Sequence, residues 1–209
     1  MYTAALADYL QLPPTIANKK FSAYRPQRYS IIAASDSQSL LECFQKSLKG
    51  LPLVQTNITV YKALKLDWSA PLPKVDVGIG LFHGDSRRKD GTLWTAKGGS
   101  TDIESVLAFF IHCHNLILLS CFSGEDMLSP LKEATRLRPG FGILFVDSKR
   151  KLYEIAQCIH PLLHGLSLWT SSKETVPLSI AFWQSMQSVK ANILSVWWIQ
   201  SGQAIVLNR

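Results

Sequence analysis

The sequence predicts an α/β domain: a three-layer α/β/α sandwich with a mainly parallel central sheet and a C-terminal hairpin. Three observations predict it. Short apolar runs alternate with helix-patterned segments from residue 29 onward. Several of these runs are continuously apolar, which marks strands buried on both faces. Two last apolar runs flank Ser201-Gly202, a two-residue hairpin signal. With 209 residues, 47% hydrophobic and 18% charged, the composition is globular and the length suits one domain with a sizeable core.

Residues 1–28, broken by Pro13-Pro14 and Pro26, read as an N-terminal arm or cap, and the domain proper as 29–209. Tyr29 to Ala34 is a buried strand, followed by a helix-capping cluster, Ser35-Asp36-Ser37. Leu40, Leu41, Phe44 and Leu48 recur at helical spacing until Gly50 closes the segment. Ile58 to Leu64 is a second strand. Val75 to Phe82 is a third, ending at His83-Gly84 and followed by a polar, Gly-rich stretch, Asp85 to Ser100. Thr101 and Glu104 have capping-box spacing before a helix that runs to about Cys113. Leu116 to Leu119 is a fourth strand, ending at Ser120-Cys121-Phe122-Ser123-Gly124. Ser129-Pro130 opens a helix, since proline is tolerated in a first turn. Gly142 to Val146 is a fifth strand, with Asp147 after it. Leu152, Ile155, Ala156 and Ile159 mark a helix that Pro161 bends or ends, and Pro177 opens a last helix to about Val189. Ile193 to Ile199 and Ala204 to Leu207 form the hairpin.

Several classes of function are set aside. The most apolar stretch, Val106 to Cys121, is interrupted by His112, His114 and Asn115, so no membrane span is expected. The N-terminus lacks a basic leader region, and the four cysteines (43, 113, 121 and 158) contain no CxxC pair. Reduced thiols and a cytoplasmic location are therefore expected. The formal charge of +7 is scattered over Lys19-Lys20, Arg87-Arg88-Lys89 and Lys149-Arg150-Lys151. That pattern reads as a solvated basic surface rather than a nucleic-acid track. His112-Cys113-His114 fits no common zinc spacing, and Gly78-Ile-Gly80 has no third glycine opening a helix. No metal and no other cofactor is expected.

The chemistry concentrates at strand ends. If the strands are parallel, Ser35-Asp36, His83-Gly84 and Ser120-Cys121 open on one edge, where sheets of this kind place their reactive sites. A thiol is the better nucleophile as thiolate, and a neighbouring imidazole can take its proton and later protonate a leaving amine. Backbone N–H groups of Gly84 and Cys121 are candidate oxyanion donors.

The segments GIGLFHGD (78–85) and NLILLSCFSG (115–124) resemble the caspase-like, or clan CD, cysteine peptidases. In that group one apolar strand ends in His-Gly and another in Cys, and Cys-Phe-Ser-Gly is similar to the Cys-x-Ser-Gly of metacaspases and CHAT-domain proteases. The resemblance implies His83 as general base, Cys121 as nucleophile, and the amides of Gly84 and Cys121 as the oxyanion hole. Leu119 and Ser120 depart from the acid, Gln or Ala that many members carry there. Asp36 and Asp147 are the candidate substrate-pocket acids, each equally readable as a helix N-cap. Together they point to cleavage after a basic or small residue. The resemblance further implies a protein substrate, an activating partner in some settings, and a role in bacterial antiviral defence. An alternative is a catalytically silent interaction module on the same scaffold. A serine hydrolase using Ser120 or Ser123 ranks last, because neither lies in G-x-S-x-G.

Overall fold

The computed structural model describes residues 29–35, 38–49, 56–62, 71–84, 93–94, 100–121, 127–148, 152–171, 178–187, 189 and 194–208. The expected arm at 1–28 lies outside them. In chain order the elements are β1 (Tyr29–Ser35), α1 (Gln38–Leu48), β2 (Thr56–Lys62), β3 (Val75–Leu81), β4 (His83–Gly84), β5 (Leu93–Trp94) and β6 (Ser100–Thr101). There follow α2 (Ile103–Phe109), β7 (Cys113–Cys121), α3 (Leu128–Leu137), β8 (Gly142–Ser148), α4 (Leu152–Ser171), α5 (Leu178–Met186), β9 (Leu194–Gln200) and β10 (Gln203–Val206).

Seven strands form one mixed sheet in the order β10-β9-β8-β7-β3-β1-β2. The five strands from β8 to β2 are parallel, and β9 and β10 are antiparallel additions. Both faces are covered, which is why β3 and β8 are buried along their whole length. On one face α1, α4 and α5 pack Leu41, Phe44, Leu162, Leu166 and Phe182 over Val77, Ile79, Leu81, Ile117, Leu119, Leu144 and Val146. On the other, α2 and α3 pack Ile103, Val106, Phe110 and Leu131 over Leu116, Leu118, Ile143 and Phe145. The expected α/β/α sandwich with a closing hairpin is the architecture observed.

Two glycines of β3 serve this packing. A Cβ at Gly78 would overlap the Phe110 ring and come within 2.8 Å of Cys113 Sγ; one at Gly80 would come within 2.5 Å of the Phe82 ring. The bare backbone makes room for aromatic side chains, which accounts for a Gly-Ile-Gly run inside a strand. At the hairpin, Ser201 (φ 53°) and Gly202 (φ 78°) both sit in left-handed conformations. That is the two-residue primed turn whose twist matches its strands. The Gly202 amide donates to Thr135 Oγ1 at 3.0 Å, which ties the turn to α3. Asn208 then closes the edge: its Oδ1 accepts from the Val196 amide and its Nδ2 donates to the Leu194 carbonyl, both at 2.9 Å.

The structure differs from the sequence reading in several places, among them β2, which is Thr56–Lys62 rather than Ile58 to Leu64. The α2 N-cap is Asp102, whose carboxylate accepts from the Ser105 amide at 2.6 Å, because Thr101 is taken up in β6. β7 begins at Cys113, three residues before the apolar run, because Cys113 enters the core while His112 stays exposed. α4 runs through Pro161 to Ser171. An internal proline costs about 3 kcal/mol, and burial of Cys158, Ile159, Leu162, Leu163 and Leu166 on both sides of it offsets that. Finally, the chain from His83 through the polar, Gly-rich stretch contributes a small antiparallel sheet, β4-β5-β6, for which the sequence reading assigned no strands. Of the tryptophan pair, Trp198 enters the α1/α4/α5 core, while Trp197 is half-buried and stacks on Phe145 with ring centroids 5.3 Å apart.

Gly78→Ala should lower unfolding stability by about 1–3 kcal/mol through overpacking against Phe110 and Cys113. Urea denaturation followed by tryptophan fluorescence measures it; an unchanged midpoint would mean that this contact does not constrain the sheet.

Candidate functional site

The site is built from the carboxyl edge of the parallel strands. β3 pairs with β1 through Leu81↔Ser35 and with β7 through Leu81↔Leu119. Pairing continues past β3, since the Phe82 amide donates to the Leu119 carbonyl at 2.9 Å. His83 and Cys121 each lie two residues beyond the last paired position, with His83 in the smaller sheet. β4, which carries His83, approaches β7 with Cα atoms within 8 Å. Its other side is pinned by β5, with His83↔Trp94 and Gly84↔Leu93 in antiparallel register. The main chains of His83, Gly84 and Cys121 therefore meet on one edge. Asp36 and Ser123 lie outside the described residues, as do the basic groups at 19–20, 87–89 and 149–151.

β8 forms the other flank. Ser120 is level with Asp147, and Cys121 with Ser148. Asp147 is level in turn with Ser195 of β9, giving a polar row across three strands. Asp147 belongs to the strand itself rather than to the turn after it, and it is 3% exposed. Buried carboxylates require partners, and the flanking serines supply hydroxyls at the right level of the sheet. Ser120 is 0% exposed, so its hydroxyl offers no surface to a substrate. That removes one of the two candidates for a serine nucleophile.

The histidine–cysteine cluster at 112–114 belongs to the opposite edge. β7 is nine residues long, so Cys113 and Cys121 stand about 26 Å apart along it at about 3.3 Å per residue. Around Cys113 the interactions are structural. Arg138 Nη2 donates to the Cys113 carbonyl at 2.8 Å, and its guanidinium lies 3.8 Å from the Phe141 ring centroid. Burial lowers the pKa of Arg138 and pushes the Cys113 thiol up to about 12. His114 is lowered by burial first and by the Lys74 charge next, with Asp76 opposing. Among the described residues no group of three or more His, Cys, Asp or Glu side chains is arranged to hold a metal ion. No helix among them is long and apolar enough to cross a membrane.

The sequence reading brought His83 and Cys121 to the same edge but missed the device that fixes the histidine's main chain. Two-residue strands have no periodicity to detect, and only the Leu93-Trp94 pair in a polar stretch hints at one. Because a thiol that deprotonates near 12 is a poor nucleophile at neutral pH, Cys113 should resist iodoacetamide at pH 8 in the folded protein. So should Cys158, which is 0% exposed. Peptide mapping before and after unfolding checks this; rapid native labelling of either would contradict the packing described.

No protein-family model matches the sequence, and no curated protein is found to be similar to it.

Proposed function

We propose that the protein is a cysteine endopeptidase of the caspase-like class, with Cys121 as nucleophile and His83 as general base. The observation that carries this reading is the junction of two adjacent parallel strands: Leu81 is level with Leu119, and β4 lies against β7. Together with the His-Gly and Cys-Phe-Ser-Gly segments at those strand ends, it supports a dyad facing a shared cleft.

In this mechanism His83 takes the Cys121 proton and the thiolate attacks the scissile carbonyl, forming a C–S bond. The amides of Gly84 and Cys121 donate to the oxyanion of the tetrahedral intermediate. Its collapse breaks the C–N bond, and His83 gives its proton to the departing amine. Water, deprotonated by His83, then cleaves the thioester to release the acid and the thiol. The chemistry needs no cofactor. Asp36 is the acid offered to a substrate pocket, and it favours a basic residue before the cut; Asp147, buried within β8, is closed to a substrate. The substrate is a protein, an activating protein is a natural regulator, and the cytoplasm keeps the thiol reduced. A defence role in bacteria rests on the family resemblance.

The second reading, a silent interaction module, rests on the departure at Leu119 and Ser120 from the family pattern. Fluorogenic peptides ending in Arg, Lys, Asp or Ala, with a thiol-directed peptide ketone as covalent probe, separate the two. An enzyme should form a single adduct on Cys121 and cleave at least one peptide class. Cys121→Ala should lower kcat/KM by about 10⁴-fold or more and His83→Ala by a comparable factor, with circular dichroism unchanged. Retained cleavage by Cys121→Ala would refute the nucleophile, and absence of both adduct and cleavage would favour the module.

A further inference from the structure

We infer that His160 and His164 on α4 form a two-imidazole site for a borderline divalent cation such as Ni²⁺, Zn²⁺ or Cu²⁺. The two residues are one helical turn apart in the continuous helix Leu152–Ser171. Side chains at that spacing lie one above the other on the same face, with Cβ atoms about 5–6 Å apart. Both histidines are exposed, as is Gln157 one turn earlier. The intervening and flanking Cys158, Ile159, Leu162 and Leu163 are 0–1% exposed. The imidazoles thus project from a helix whose opposite face is anchored in the core, and the anchored backbone fixes their spacing.

The His-x-x-x-His spacing is the one by which a helix presents two ligands to zinc in metalloproteases. There the residue after the first histidine is the glutamate that acts as general base. Here that residue is Pro161, so the site binds without catalysing. Two protein nitrogens leave the remaining positions to water, and imidazole selects Zn²⁺, Ni²⁺ and Cu²⁺ over Mg²⁺ or Ca²⁺. Pro161 also gives the site a structural consequence. It has no N–H, so the Gln157 carbonyl lacks its helical donor and the ladder is weakest within this turn. A cation bridging residues 160 and 164 clamps the turn that follows that gap. It binds the folded helix far better than the unfolded chain, where the two rings are independently oriented, so binding raises the melting temperature.

The test uses the full chain without a histidine tag and nickel chloride as the probe, with calorimetric titration and thermal melts. One nickel ion per chain is expected, and at ten times the measured Kd the Tm should rise by about 3 °C. His160→Asn and His164→Asn, both on the exposed face, should each weaken nickel binding by about 10-fold or more while leaving the nickel-free Tm unchanged. No nickel binding by the wild-type chain would overturn the site. Undiminished binding in both variants would overturn it equally, by moving the ion to other ligands.

Discussion

The pairing of β3 with β7 is the constraint on which the rest of the molecule depends. A sheet buried on both faces tolerates no slip, because a shift of one residue exchanges the two faces of a strand. Here the faces are not interchangeable. Val77, Ile79 and Leu81 fill the side covered by α1, α4 and α5, whereas Gly78 and Gly80 leave room on the other side for Phe110 and Phe82. A slipped β3 would drive those rings into branched side chains and leave a void beneath α4. The Gly–Phe fit thus fixes the register, and the register brings the chain after β3, which carries His83, against β7. Core packing determines the candidate site from about three residues away.

The two edges of the sheet carry connections of different build. At the amino edge two connections are short: residues 110–112 join α2 to β7, and residues 138–141 join α3 to β8. These turns are tied down by the Cys113 amide donating to Phe110, the Phe141 amide donating to Arg138, and the Arg138 side chain reaching the Cys113 carbonyl. At the carboxyl edge the path from β3 to α2 takes residues 82–102 and includes its own three-stranded sheet. A rigid layer carrying long connections on one side is the usual way to hold reactive groups over a scaffold. The small sheet lends the first of those connections a second set of backbone pairings, so His83 need not rely on the end of β3 alone.

Most of the fold was legible because its signals are cumulative. A continuous apolar strand such as Gly142 to Val146, or a Ser-Gly pair between two apolar runs, repeats one physical preference over several residues. What was not legible depended on single contacts. Nothing local distinguishes Asp102 from Thr101 as a cap until β6 claims the threonine. Pro161 reads as a helix breaker until burial on both sides of it is known. Asp147 reads as the residue after the strand, a pocket acid or a helix N-cap, because a carboxylate rarely continues a buried strand; its place beside Ser120 and Ser195 depends on two other strands. The candidate site was legible at the level of strand ends, since His-Gly and Cys-Phe-Ser-Gly interrupt apolar runs abruptly.

The end of β7 also bears on which neighbour can react. Ser120 follows Leu116 and Leu118 into the α2/α3 core, where it is sealed beside Asp147. A hydroxyl there contributes to the polar row and is closed to a peptide. Cys121 is the last residue of the strand, level with Ser148 at the end of β8, where the ladder gives way to connecting chain. In the proposed mechanism Cys121, the last residue of β7, supplies both the nucleophile and one N–H donor.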